Sequence, residues 1–423
     1  MRVGLPFGRQ VLDIEVPDHA TVLRPHPVAP IADEDAAVRQ SLRSPLAGLP
    51  LRERVQLGQT VAIVVSDITR PVPNAVLLPP IIDELHAAGI PDEAITIVNG
   101  TGLHRINTQA ELEEMLGAEL ANRYRIVQHV ARDSSTLTEV GRSAEGVPVS
   151  FCTAYVEADV RIVTGFVEPH LFAGYSGGAK GVMPGVAGAR IVMSNHGADN
   201  LSHPKASWCV AEGNPVFEEM RVICDLCPPH FLLNVTLDSE RHITGVFAGD
   251  LLPAHEAAMQ QAERQYVTPI AQPYDVVVVT NMGYPADTSL YQSVKGMSVA
   301  AEGVRQGGAI LLVAGCEEGI GSDDYAGLLS EGESMAALLE RICSNQEHRH
   351  DQWQVQCQAM VQAKARVLVH SLLTPEQARS AHVEPCDDPS AAIRELVAAA
   401  QARGLPGSVL VLPHGQMTVP VVR

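Results

Sequence analysis

Val61-Ala62-Ile63-Val64-Val65, followed by Ser66-Asp67-Ile68-Thr69-Arg70-Pro71, is the stretch on which the fold turns. A near-continuous run of apolar, mostly β-branched residues suits a strand buried on both faces, as in a parallel sheet covered by helices. The pattern recurs at Ala94–Val98, Arg125–Val127, Val160–Thr164, Val276–Thr280 and Ala309–Val313. Helical patterns separate the runs at Gln109–Leu120, Pro253–Gln265 and Met335–Arg341, and at Ala75–Ala88, where Pro79 and Pro80 predict a break near the start. Thr268–Tyr274 reads as a Pro-containing link. Beyond it, Val367–His370 and Ser408–Leu412 read as strands, and Glu376–Ala381 and Ser390–Arg403 as helices. The expected fold class is α/β. Two domains, 1–270 and 271–423, each carry a mostly parallel sheet flanked by helices, with the active site in the cleft between them.

Bulk properties bound the function. A chain of 423 residues exceeds one ordinary core, so two domains are expected. With 49 acidic against 30 basic residues, the formal net charge of −19 repels phosphate backbones, which argues against nucleic-acid binding. No apolar run approaches the roughly eighteen residues of a membrane span. Met1–Gln10 shows no signal-peptide core, so a cytoplasmic location is expected. The 8 cysteines suit a reducing compartment. Cys224 and Cys227, followed by His230, form a CxxC without a second ligand pair, and are read as structural.

In open α/β sheets, ligands collect beyond the carboxyl ends of the strands. Polar residues, most of them titratable, stand at that place four times. They are Ser66-Asp67-Ile68-Thr69-Arg70, Asn99-Gly100-Thr101-Gly102-Leu103-His104-Arg105, Gly165-Phe166-Val167-Glu168-Pro169-His170 and Asn281-Met282-Gly283-Tyr284. Gly174-Tyr175-Ser176-Gly177-Gly178-Ala179-Lys180-Gly181 is not a phosphate loop, because Ala179 and Gly181 stand where that motif needs Gly and Ser or Thr. Its glycines let backbone approach a ligand closely, and Lys180 is a candidate nucleophile or attachment point. Among 16 histidines, His104, His170 and His196 follow strands or the Gly-rich segment, where imidazoles serve as bases or metal ligands. Gln292 and Lys295, three apart on a helical pattern beside Tyr291, share a face and with Arg70 can clamp a carboxylate. Two bases, a cationic clamp and a reactive lysine suit proton or hydride chemistry on a small acid. Residue types alone do not choose between the two.

The segment Pro169–Lys180 resembles the lactate racemase family, the nickel-pincer nucleotide enzymes. Asp67–Pro71, Gly102–Arg105, Ser194-Asn195-His196, Gln292–Lys295 and Asp351-Gln352-Trp353 match its other motifs in order. The resemblance implies a nickel-pincer nucleotide, pyridinium-3,5-bisthiocarboxylic acid mononucleotide nickel, covalently attached at Lys180 with His196 as the protein's metal ligand. It implies that Asp67, Ser176, Gly177, Gly178 and Trp353 line the cofactor's place. His104 and His170 would be alternating bases, and Arg70, Tyr291, Gln292 and Lys295 would bind the substrate. The activity implied is racemisation of a short, lactate-like 2-hydroxy acid by hydride removal and return. Cofactor-biosynthesis proteins would be transient partners. Epimerisation of a larger 2-hydroxy acid or sugar acid, or a non-catalytic cofactor-binding role, are the alternatives. A carrier would need only Lys180 and His196, so the two further histidines count against it.

Overall fold

The computed structural model describes residues 1–344 and 349–422. The first six-stranded sheet has the order 243–249, 231–237, 160–166, 61–66, 95–100 and 125–128. Its neighbours run parallel except Phe231–Leu237 against Ile243–Gly249, which are antiparallel. The second six-stranded sheet, parallel throughout, has the order 384–385, 365–370, 304–313, 274–280, 409–412 and 21–22. The Val/Ile runs form the central strands because they are buried on both faces: all of Val61–Val65 and Val276–Thr280 is inaccessible to solvent.

Strand order dictates where a ligand can sit. The chain lays 95–100 and 125–128 on one side of Val61–Ser66, then returns to place Val160–Phe166 on the other. The crevice at such a reversal opens beyond the carboxyl ends of the two strands. Asp67 and Arg70 follow one of them, Glu168 and His170 the other. The second sheet reverses between Tyr274–Thr280 and Val409–Leu412, which lead into Asn281 and Gln416.

Four expectations are corrected. Residues 1–22 depart from the division at 270/271. The hairpin Arg2–Phe7/Gln10–Glu15 buries Val3, Leu5, Ile14 and Val16 against Val276, Val278, Leu311 and Val411, and Thr21–Val22 is the edge strand beside Val409–Leu412. The link after Tyr266 begins as a strand, Val267–Ile270, paired with Val419–Val422. Finally, helix Asn74–Ala87 continues through Pro79 and Pro80. Each interior proline costs about 3 kcal/mol. The helix buries Leu77, Leu78, Ile81, Ile82 and Leu85 in the first domain's core, at about 1.5–3 kcal/mol each. Packing outweighs the lost backbone bonds. Gln109–Leu120 is also split, at Gly117 (φ 83°), into Gln109–Leu116 and Ala118–Arg123.

Candidate active site

One pocket gathers the carboxyl-end loops of the first sheet and faces a helix of the second domain. Its walls include Asp67, Arg70, His104, His170, Ser176, Gly177, Lys180, His196, Tyr291, Gln292, Lys295 and Trp353. Of the residues to which the resemblance assigns a role, only Gly178 lies outside the lining.

Asp67, the first residue beyond its strand, is buried and acts as a hub. Its Oδ2 lies 2.6 Å from His104 Nδ1, and its Oδ1 accepts from the backbone N–H of Thr69 (3.0 Å) and its hydroxyl (2.6 Å). Arg70 in turn donates through Nη1 to that hydroxyl at 3.0 Å, which fixes its guanidinium. Burial pushes the Asp67 carboxyl up, but His104, Arg70 and Thr69 more than offset this and hold it at about 2. An ionised carboxylate can only accept, so His104 carries its proton on Nδ1 and presents a bare Nε2 when neutral.

His170 has the opposite arrangement. The backbone N–H of Ala173 donates to its Nδ1 at 3.3 Å, so the neutral ring carries its proton on Nε2. Burial, followed by the charges of Lys180, Lys295 and Arg70, keeps its pKa well below that of an ordinary histidine. Gly174 brings the chain back behind it: a Cβ there would lie 2.1 Å from the Val210 carbonyl oxygen, and φ is +73°.

His196 caps the helix Ala189–Asn195 and is buried. Its Nδ1 is 3.0 Å from Asn195 Oδ1, and that asparagine donates to Val216 O (3.2 Å) and Glu219 (2.7 Å), which fixes the orientation of its oxygen. The histidine therefore donates from Nδ1 and leaves Nε2 as a lone pair. Burial, helped by Lys180, holds it at about 3. A neutral imidazole with its second nitrogen so anchored is what a metal site requires.

Lys180 sits deep in the pocket. Burial and the neighbouring Arg70 lower its amine to about 7, against the opposing pull of Glu168 and Asp67. An amine at this value is partly neutral near physiological pH and nucleophilic. The glycines around it work differently from the expectation. Gly177 lines the pocket, but the Gly178 N–H donates into the protein, to Asn234 Oδ1 at 2.8 Å. A Cβ at Gly178 would lie 2.1 Å from His255 Nδ1, so this residue serves close packing. The Ser176 hydroxyl is likewise committed, donating to Phe166 O at 3.0 Å and accepting from Glu168 N at 2.9 Å.

From the second domain, helix Leu290–Gly303, capped by Ser289, presents Gln292 and Lys295 on one face. Lys295 Nζ donates to Gln292 Oε1 at 3.2 Å, which leaves the Gln292 amide NH₂ available to an acceptor. Trp353 Nε1 donates to the Tyr291 hydroxyl at 3.3 Å, closing the wall. Glu168, passed over in the sequence as one polar loop residue among several, is a buried carboxylate at this site. Its position just beyond the buried strand Val160–Phe166, two residues before His170, was the available signal.

The CxxC pair takes no part. Cys224 and Cys227 are buried free thiols, and His230 Nδ1 accepts from Arg161 N at 3.0 Å. Among the described residues the one group with metal-ligand spacing is Asp324, His350 and Asp351, outside this pocket. No helix among them is long and apolar enough to cross a membrane.

Fold and pocket together define the class: a two-domain α/β protein whose carboxyl-end pocket is lined by cationic and imidazole side chains from both domains. The lactate racemase N-terminal domain model matches residues 7–209, and the lactate racemase C-terminal domain model matches residues 270–421. The chain belongs to the lactate racemase family and is an isomerase of the racemase kind. It is 32% identical over 386 residues to a lactate racemase of Lactiplantibacillus plantarum, covering 90% of each chain. It is 30% identical over 374 residues to that of Thermoanaerobacterium thermosaccharolyticum, covering 87% of each. The structure of the latter's apoprotein superposes with a TM-score of 0.90 at 28% identity, over 99% of this chain and 100% of that one. A Thermotoga maritima protein shares the fold, with a TM-score of 0.71 at 17% identity over 94% of this chain and 100% of that one.

Proposed function

We propose that this protein interconverts the D and L enantiomers of a short, lactate-like 2-hydroxy acid, with a nickel-pincer nucleotide held by Lys180 and His196. The observation that carries the reading is the pairing of two imidazoles, His104 and His170, with the cations Arg70 and Lys295 around one pocket. The residues fit the group. His196 offers one fixed Nε2 lone pair and Lys180 an amine of lowered basicity, and both line the same pocket.

Arg70, Lys295 and the Gln292 amide grip the substrate carboxylate through charge-assisted hydrogen bonds. His104 Nε2 accepts the hydroxyl proton of one enantiomer, and the Asp67 carboxylate steadies the imidazolium that forms. His170 Nε2–H donates to the substrate oxygen, and its role as base when the other enantiomer binds uses the other tautomer, with Nε2 bare and the 3.3 Å contact from the Ala173 N–H given up. The C2 hydrogen of a 2-hydroxy carboxylate is too weakly acidic for side-chain bases, and the bound nucleotide supplies a hydride acceptor for it.

A second reading, C2 epimerisation of a longer hydroxylated acid, is favoured by one feature. A second chamber of about 940 Å³ adjoins the pocket across Asp67, His104, Tyr291 and Gln292, with Asn107, Thr288, Ser289 and Ser322 in its walls. The test is chiral chromatography of D- and L-lactate and of C4–C6 2-hydroxy acids, using protein made with cofactor-building enzymes. Wild type should convert both hands, and His104→Ala and His170→Ala should each slow both directions by about 10²–10⁴-fold. Full activity in either variant removes the two-base assignment, and preference for the longer acids selects the second reading.

A further inference from the structure

Three cations, Arg70, Lys180 and Lys295, line the pocket, and none lies within ion-pair distance of a carboxylate among the described residues. Uncompensated charge in such a place is costly, since desolvation disfavours the ionised form. The sequence shows that these positions are particular. Only four lysines, Lys180, Lys205, Lys295 and Lys364, occur among the chain's 30 Lys and Arg residues, and two of the four are here. Arginine stays charged in any environment, whereas a lysine's charge follows its surroundings. What surrounds Lys295 therefore sets how well it grips an anion.

Two acidic groups reach this cluster. Asp67 is committed to His104 and Thr69. Glu168 is 3% exposed. Its only side-chain hydrogen bond among the described residues is with Gln416 of the second domain, whose Nε2 donates to its Oε2 at 3.1 Å. Its backbone is pinned from both sides by Ser176: the Ser176 N–H donates to Glu168 O, and Glu168 N donates to the serine hydroxyl, both at 2.9 Å. Glu168 follows the switch-point strand of the first sheet and Gln416 that of the second, so the contact ties the two crevices together. No cation lies within ion-pair distance of Glu168 among the described residues, but the turn Gly415–Met417 that holds it packs against both Pro169–His170 and helix Leu290–Gly303, which carries Lys295.

We propose that Glu168 is a positioning residue of this site: its buried carboxylate, held by Gln416 across the domain interface, is the counter-charge that keeps the Lys295 ammonium available to a substrate carboxylate. The groups facing Lys295 are Arg70 and Lys180, which discourage its charge, and Glu168 and Asp67, which favour it. Burial acts with the first pair and holds Lys295 below the ordinary lysine value. Nearby His170 feels the same positive charges. Burial raises Glu168, while Lys295, then Arg70, draw it back towards ionisation. Removing its charge leaves the Lys295 ammonium less supported. The role of Lys295 as a substrate grip rests on the function proposed above, but its titration does not.

The test is the pH titration of ¹³C-dimethylated lysines by NMR in the full-length apoprotein, where four side chains and the α-amine give a readable spectrum. Wild-type Lys295 should titrate well below the ordinary lysine value of 10.5. In Glu168→Gln it should move down further by about 1–3 pH units, the scale of one lost neighbouring charge. Glu168→Asp should return most of that shift, and Lys205 and Lys364 should stay fixed. An unmoved Lys295 in folded Glu168→Gln overturns the proposal. If that variant does not fold, Glu168→Ala is titrated in its place, and an unmoved Lys295 in it overturns the proposal equally. In the loaded enzyme the same variant should raise KM more steeply as pH rises, with kcat less affected. Loss of racemase activity in wild type with the Lys295 shift intact would remove the proposed function and leave this assignment standing.

Discussion

Replacing Asp67 with Asn tests how far one buried carboxylate organises the site. The perturbation keeps the volume and removes the charge. In the native protein the Asp67 carboxyl sits at about 2 rather than 3.8, despite its burial. A difference of about two pK units corresponds to roughly 2–3 kcal/mol favouring the ionised form in the fold. The folded value is the depressed one. That stability is therefore fully present above the unfolded value of 3.8 and lost as pH falls through about 2. Asp67→Asn should thus lower stability by roughly 2 kcal/mol at neutral pH, and the difference from wild type should vanish towards pH 2. The catalytic loss should be larger. An asparagine at 2.6 Å from His104 Nδ1 can turn either its oxygen or its NH₂ to the ring, and the latter moves the proton to Nε2, the nitrogen meant to act as base. It also releases the Thr69 hydroxyl that orients Arg70. A fall of about 10²–10⁴ in kcat is expected, the range of misdirected general acid–base help. The assay is racemisation followed by chiral chromatography from pH 5 to 9, with urea unfolding of the same preparations. Wild-type turnover in a folded Asp67→Asn protein would refute the hub.

Arg70→Lys keeps the charge but loses the two-pronged grip, so KM for 2-hydroxy acids should rise about tenfold or more. Unchanged kinetics across a panel of acids would remove Arg70 from the site. Lys180→Ala should abolish the covalent adduct seen by intact mass in protein made with the cofactor-building enzymes, and lower its nickel content. An adduct of unchanged mass in the variant contradicts the attachment. Gly178→Ala places a Cβ 2.1 Å from the His255 ring at φ +54°, and should cost on the order of 2 kcal/mol or more by thermal unfolding. Native stability in that variant would show that the loop can repack.

Much of this was legible in the residues, for physical reasons. Buried parallel strands need continuous Val and Ile, and their carboxyl ends are where polar side chains converge, so Asp67, Arg70, His104 and His170 could be found by position alone. What escaped depends on contacts distant in the chain. Glu168 and Gln416 are 248 residues apart, and neither has a local pattern. Thr21–Val22 is a two-residue strand whose place is set by the free edge of the second sheet. Helix Gln352–Lys364 shows the opposite difficulty. Its Gln-Trp-Gln-Val-Gln-Cys-Gln alternation has the period of a strand. Its first part, Gln352–Ala359, is nonetheless helix buried on all sides, because partners satisfy its glutamines: Gln356 donates to Ala198 O at 3.1 Å, and Gln358 to Ala381 O at 2.8 Å. The alternation would have signalled a half-exposed strand.

The central claim is racemisation by two bases with the C2 hydrogen kept as hydride. Its most direct test is to incubate pure L-lactate, and separately pure D-lactate, with the cofactor-loaded protein in D₂O and follow both by chiral chromatography and ¹H NMR. Both should converge on the same one-to-one mixture with no deuterium entering at C2, because the hydrogen returns without meeting solvent. Deuterium at C2, or conversion of one enantiomer only, would contradict the account.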